Sequence, residues 1–191
     1  MSNSHSPHLY MFRTAAFDMQ SLWTIGLVVV LIPWMQACSP SNPNKARNAL
    51  ASASACLDRY HEAAAKAQFR DYFQCMGDSS VFVGTDASEH WTKEEFMAYA
   101  QPHFDKGKAW SMQPLTRQFH FTADSSVAWF EELLDTRMKL CRGSGVMVFR
   151  NGTWKIQQYV LSATVPNGIM GDLIRLKAAQ DDSLLQSITR K

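Results

Sequence analysis

Arg117 is the first residue whose placement raises a chemical question. Leu115, Phe119 and Phe121 share its parity, while Thr116, Gln118, His120 and Thr122 take the other. This alternation is that of a strand with one apolar face. A charge on that face must find a partner or stay near a pocket mouth. The next apolar run, from Val127, carries Glu131 and Glu132. A two-residue turn near Asp124 sets Arg117 opposite Glu132, and a three-residue turn sets it diagonal to Glu131, so either register supplies a carboxylate. Such a pair can fix strand register. It can also grip an anionic or carbonyl group, with the Arg as the grip and the Glu orienting it. Proton chemistry at carbon needs a carboxylate base in a dry cavity and a donor facing the developing oxyanion. The candidate bases are Asp86, Glu131 and Glu132, and the candidate donors are Arg117, Gln158 and Tyr159.

Other chemistries find less support. His61, His90, His103 and His120 are scattered, with no two at metal-ligand spacing on one helix, so no metal is expected. There is no Gly-x-Ser-x-Gly and no phosphate-binding loop, which argues against a serine hydrolase or a nucleotide enzyme, and no cofactor is expected. The formal net charge is +2 and no run of Lys or Arg occurs. That weakens a nucleic-acid reading, because phosphate binding needs clustered positive charge. Aromatic residues reach 12%, with six Trp, which suits either core packing or an aromatic-lined pocket.

The elements that must hold these groups can be read in order. Residues 45–68 are expected to form a long Ala-rich helix, with Leu50, Leu57, Tyr60 and Ala64 at helical spacing. A short helix around residues 69–76 follows, and Gly77-Asp78 is expected to break the chain before a strand at Val81-Phe82-Val83. Thr92 and Glu95 form a capping box, with Trp91 and Phe96 at the staple positions, opening a helix that ends before Pro102. Four antiparallel strands follow from Pro114. Residues 168–188 read as a polar, helical C-terminal extension.

Asn151-Gly152 is a strong hairpin signal. A two-residue turn there sets Arg150 opposite Thr153, Phe149 opposite Trp154, Met147 opposite Ile156 and Gly145 opposite Gln158. Opposed residues share a face, so Gly143 and Gly145 would face a polar side chain and leave room for a pocket floor. A bulge or bend at those glycines is the alternative. The same register turns Tyr159 away from Gln158 and groups it with Val146, Val148 and Leu161 on the other face. Trp110, after Gly107-Lys108-Ala109, can close a pocket mouth or simply pack.

Upstream, residues 22–35 form the one long apolar run. At fourteen residues it is short for a spanning helix and suits a signal-peptide core. Its end, Met35-Gln36-Ala37-Cys38-Ser39, resembles a bacterial lipobox. This implies a leader over 1–37, lipidation at Cys38, and a tether over 38–45 that includes Ser39-Pro40-Ser41-Asn42-Pro43-Asn44. The protein would then be an exported lipoprotein of the bacterial cell envelope, in the periplasm or at the outer membrane. An uncleaved anchor and a plain secretory signal are the alternatives. Cys56, Cys75 and Cys141 remain, an odd number that forbids full pairing within one chain and favours buried free thiols.

Residues 46–168 resemble the SnoaL-like domains of the nuclear-transport-factor-2-like superfamily. The resemblance is carried by Phe82-Val83-Gly84-Thr85-Asp86 followed by Trp91, Ala128-Trp129-Phe130-Glu131-Glu132, Arg142-Gly143-Ser144-Gly145-Val146, Gly152-Thr153-Trp154-Lys155-Ile156 and the closing Val165-Pro166-Asn167. It implies an α+β cone, or cystatin-like roll, in which a curved, mostly antiparallel sheet wraps around N-terminal helices and leaves a conical pocket. At two late positions where some relatives carry His, this chain has Gln158 and Val160. The superfamily includes isomerases, cyclases and dehydratases as well as binding and assembly modules, so fold alone does not decide function.

Two functions follow as expectations. One is an envelope-exposed domain binding a small, partly apolar molecule or a partner segment through Trp91, Trp110, Arg117, Trp129, Glu131, Glu132, Gly145 and Gln158. The other is an enzyme of isomerase, cyclase or dehydratase type with Glu131 or Glu132 as base and Arg117 as electrophilic aid. Partners would be a small-molecule ligand, the membrane through the lipid anchor, and a second copy through the outer sheet face, with no nucleic acid.

Overall fold

The computed structural model describes residues 43–190. The leader, Cys38 and most of the tether lie outside them. Two helices, α1 (Pro43–Ala65) and α2 (Phe69–Gln74), lead into strand β1 (Met76–Val83), short strand β2 (His90–Thr92) and helix α3 (Lys93–Asp105). Strands β3 (Met112–Phe121), β4 (Val127–Thr136), β5 (Lys139–Arg150) and β6 (Thr153–Ala163) follow. A 3-10 turn (Asn167–Ile169) then enters helix α4 (Met170–Thr189). The strands form one six-stranded sheet in the order β2-β1-β6-β5-β4-β3. All pairings are antiparallel except β1 with β6. This is the α+β roll that the resemblance implied.

Helix α1 lies against the sheet because its apolar residues recur on one side. Ala53, Cys56, Leu57, Tyr60, Ala63 and Ala64 are all buried, at the spacing that puts them on one helical stripe. Helix α3 starts as its sequence requires. Thr92 caps Glu95 and the Glu95 side chain returns to the Thr92 backbone, while Trp91 stacks on Phe96 with ring centroids 5.7 Å apart. It does not stop before Pro102 but runs through it to Asp105. The missing amide of Pro102 costs a helical bond, and packing outweighs it. Phe104, on the turn beyond, is buried with its ring 5.3 Å from Tyr72 and 5.4 Å from Trp110.

Three further expectations are corrected. Gly77 and Asp78 lie inside β1 and do not end an element. Leu115 is a bulge residue, since Pro114 pairs with Leu134 and Thr116 with Leu133. It is therefore exposed and no longer shares the inward side with Arg117. The third correction concerns β6. Near the Asn151-Gly152 turn, whose positive φ values of 52° and 78° suit this hairpin, the expected pairs hold from Arg150–Thr153 to Met147–Ile156. Beyond them the register slips, so that Val146 meets Gln158 and Gly145 meets Tyr159. Gln157 is the extra residue. Its amide donates to Ser79 O at 2.8 Å and Ser79 Oγ at 2.9 Å, bridging an irregular stretch of β1.

A one-residue slip exchanges faces. Tyr159 and Leu161 therefore turn inward and are buried, while Gln158 turns out. The glycines are not an open floor. A Cβ on Gly143 would meet the Tyr159 hydroxyl, and one on Gly145 would clash with Gln158 O and meet the Phe130 ring at 3.0 Å. They admit close packing of backbone and rings. Gly145→Ala is expected to destabilise the fold by about 1–3 kcal/mol, because the backbone contact cannot relax by a side-chain rotation. Chemical denaturation of wild type and variant checks this, and an unchanged midpoint would contradict it.

Candidate functional site

Two separate arrangements emerge, a buried polar network and an aromatic pocket beside it. The network centres on Glu132, which projects inward from β4 and is 1% exposed. Arg117 pairs with it across β3–β4 and donates from Nε to Glu132 Oε2 at 2.8 Å. This is the pairing that a two-residue turn register requires. The other carboxylate oxygen accepts from His61 Nε2 at 2.7 Å and from the Tyr159 hydroxyl at 2.9 Å. Arg117 Nη1 reaches α1, bonding Asp58 Oδ1 at 2.7 Å and Ser54 Oγ at 3.1 Å. Arg117 Nη2 is buried without a hydrogen-bond partner among the described residues.

Burial works to raise the Glu132 carboxyl, but the His61 hydrogen bond and charge, together with Arg117, outweigh it and hold the group below its usual range. Burial and the neighbouring Glu132 charge push the Tyr159 phenol well up, so it stays a donor. An ionised carboxylate accepts only, and all of its protein partners here are donors. His61 was not singled out from sequence. The available signal was its position four residues after Leu57 and three before Ala64, on the buried stripe of α1.

The aromatic pocket has a volume of about 570 Å³ and lies among α3, the loop after it and the ends of β1, β3 and β6. Phe82, Trp91, Phe96, Tyr99 and Trp110 supply its rings. Trp91 and Tyr99 stack at 4.6 Å, Phe82 and Phe96 at 4.0 Å, and Phe96 and Trp110 at 5.7 Å. Its polar groups include Glu89, His103, Lys108 and Arg137. Tyr159 stacks behind Phe82 at 5.9 Å, so the Glu132 network backs the pocket wall without lining it.

The expected site residues therefore divide. Trp91 and Trp110 line the aromatic pocket. Arg117 and Glu132 pair in the network. Trp129, Glu131 and Gln158 face the other side of the sheet, where a shallow depression of about 440 Å³ also touches Gly145. There Trp129 stacks on His120 at 5.6 Å, and Glu131 lies 3.6 Å from Arg142 with about half its side chain exposed. Strand alternation puts Glu131 and Glu132 on opposite faces, and the Gln157 bulge does the same for Gln158 and Tyr159. Asp86 is exposed in the β1–β2 loop and binds Ser88 at 2.9 Å and 2.5 Å. These bonds lower its carboxyl below the usual range. The outer-face grouping of Val146, Val148, Tyr159 and Leu161 is likewise corrected, because Val146 and Val148 remain there while Tyr159 and Leu161 leave it.

A third hollow was not foreseen. It is a groove of about 880 Å³ whose lining includes Arg70, Lys93, Arg150, Lys155 and Asp78, with Lys93 3.1 Å from Asp78. Among the described residues, no group of three or more His, Cys, Asp or Glu is arranged to hold a metal ion, and no helix is long and apolar enough to cross a membrane. Cys56, Cys75 and Cys141 are free and buried. Cys56 donates to the Trp154 carbonyl and Cys75 to the Asp71 carbonyl, each at 3.4 Å, and the interaction between the two thiols pulls Cys56 below and pushes Cys75 above the usual thiol range.

Glu132→Ala is expected to cost about 3–5 kcal/mol, because it removes the acceptor shared by buried His61, Tyr159 and Arg117 Nε and leaves Arg117 only the exposed Asp58 carboxylate. A carboxyl held low in the folded state contributes stability above its unfolded range and loses it as pH falls through the folded value. The gap in denaturation midpoint between wild type and Glu132→Gln should therefore narrow as pH drops below the carboxylate range. A gap independent of pH would contradict this account.

Similar solved structures share this fold at low identity. A candidate scytalone dehydratase from Novosphingobium aromaticivorans is 9% identical, with a TM-score of 0.57 over 65% of this chain and 89% of its own. A Mycobacterium tuberculosis protein of unknown function is 12% identical, with a TM-score of 0.55 over 69% of this chain and 81% of its own. A nuclear-transport-factor-2-like protein from Pseudomonas putida is 12% identical, with a TM-score of 0.50 over 60% and 85%. Comparison with curated proteins finds no match. The SnoaL-like domain family matches residues 53–166, more than half of the chain, and the protein belongs to that family.

Proposed function

We propose that the domain binds a small, flat, partly apolar molecule between the rings of its aromatic pocket. The observation that carries this reading is the set of stacked rings of Trp91, Tyr99, Phe82, Phe96 and Trp110 around about 570 Å³. Aromatic walls with a few polar groups suit a ligand with one greasy plane and a polar edge. The binding reading is favoured over an isomerase, cyclase or dehydratase working through Glu131 or Glu132, because a general base must be free to take a proton from a ligand in the pocket. Glu132 already accepts from His61, Tyr159 and Arg117, and Glu131 lies on the outer face. The scytalone dehydratase candidate lends its fold to this chain but not its chemistry.

The envelope setting belongs to the same proposal. The apolar run before Cys38 and the polar residues after it would tether the pocket to a membrane by a lipid on Cys38. These features support the reading from sequence.

Fluorescence titration of anilinonaphthalenesulfonate, an aromatic probe with a flat naphthalene and one charged group, tests the pocket. Trp91→Ala and Trp110→Ala should each weaken binding about tenfold, the scale of one lost aromatic contact, while Trp129→Ala on the outer face leaves it unchanged. Loss of binding on Trp129→Ala alone would overturn the assignment. For the anchor, Cys38→Ser should move the chain from the membrane fraction to the soluble fraction of the producing cell and abolish labelling by radioactive palmitate. Retention of label would refute it.

A further inference from the structure

Helix α4 is amphipathic, yet none of its residues is buried. Met170 (38% exposed), Ile174 (58%), Leu184 (37%) and Ile188 (60%) form an apolar row, interrupted at its centre by Lys177 and Asp181. These two join in an ion pair at 3.0 Å, each about half exposed. The spacing 170, 174, 177, 181, 184, 188 alternates steps of four and three, which is the heptad seam of a coiled coil. The row is also a palindrome about Ala179. Read backwards, it again gives an aliphatic pair, then one charge of each sign, then an aliphatic pair.

We propose that this row is the interface with a second copy of the chain, through antiparallel pairing of the two α4 helices about a twofold axis at Ala179. In that arrangement Met170 meets the partner's Ile188, Ile174 meets the partner's Leu184, and Lys177 meets the partner's Asp181. Each contact is made twice. Antiparallel seams bring the first core position of one heptad against the second of the other helix, which is the match these residues provide. Ala178, flanking the central pair, is small and lets the backbones approach. The charges dictate direction. A parallel pair would set Lys177 against Lys177 and Asp181 against Asp181, a repulsion near the middle of the contact, whereas the antiparallel pair lets each Lys exchange its own Asp for its partner's. Leu173 and Leu185 flank the seam and widen it. At about 1.5 Å per residue the 20-residue helix gives a contact roughly 30 Å long. A second copy is the occupant that this self-complementary order fits.

Sedimentation velocity on the full chain tests the proposal. Ile174→Glu should halve the assembly mass. Lys177→Asp and Asp181→Lys should each do the same, since each puts like charges across the seam. An equimolar mixture of these last two should recover the wild-type mass, because the central carboxylates of one variant then face the central ammonium groups of the other. That recovery cannot come from the intrahelical pair, which is broken in both variants. A wild-type chain that is monomeric at about 100 µM, a mass unchanged in every variant, or a mixture that fails to recover would each overturn the proposal. Circular dichroism confirming that Ile174→Glu keeps its helix content separates lost association from lost folding.

Discussion

The buried Glu132 carboxylate is the constraint that the rest of the domain is built around. It gathers His61 from α1, Arg117 from β3 and Tyr159 from β6, three elements far apart in sequence. A buried charge is tolerated only with full compensation, so each of these elements has one workable position relative to β4. Arg117 extends the constraint to a second point on α1 through Asp58 and Ser54. The helix is thereby fixed along the sheet by polar bonds as well as by its apolar stripe. Ordinary hydrophobic contacts between a helix and a sheet permit sliding, and directional bonds to a shared carboxylate do not.

What separates this network from the aromatic pocket is a single ring layer. Phe82 stands between Tyr159 and the pocket, stacked on the former at 5.9 Å and lining the latter. The polar cluster rigidifies the wall against which a ligand would lie, and the ligand would see mostly rings. This division suits recognition by shape and stacking. It leaves the few ionisable groups of the pocket, such as Glu89 and His103, to orient a bound molecule.

Much of the architecture was legible because local signals agreed with tertiary demands. The capping box at Thr92, the Asn151-Gly152 turn and the alternation from Arg117 to Phe121 each have a short-range cause, and each appears as read. The Arg117–Glu132 pair was legible for the same reason, since an inward charge leaves few partners. The misreadings share a different origin. The Gln157 bulge is tied to β1, a strand about eighty residues earlier, by the hydrogen bonds its side-chain amide donates to Ser79. No pattern within β6 announces it, and one inserted residue reverses the expected faces of Gln158, Tyr159 and Leu161. The continuation of α3 through Pro102 likewise depends on the packing of Phe104, and the role of His61 on a carboxylate seventy-one residues away. Local chemistry was readable, while placements decided by distant partners were not.

The parallel pairing of β1 with β6 has a consequence for how the chain acquires its shape. The sheet's β2–β1 edge can be joined to the rest only through the last strand. A chain emerging from its N-terminus therefore holds β1, paired only with β2, apart from the rest of the sheet until residues 153–163 exist. Long-range closures of this kind are slow because the loop must be ordered before any contact repays it. Closure of the sheet thus waits on the β1–β6 pairing, and until it forms the β2–β1 edge presents greasy surface to whatever chaperone or conduit receives it.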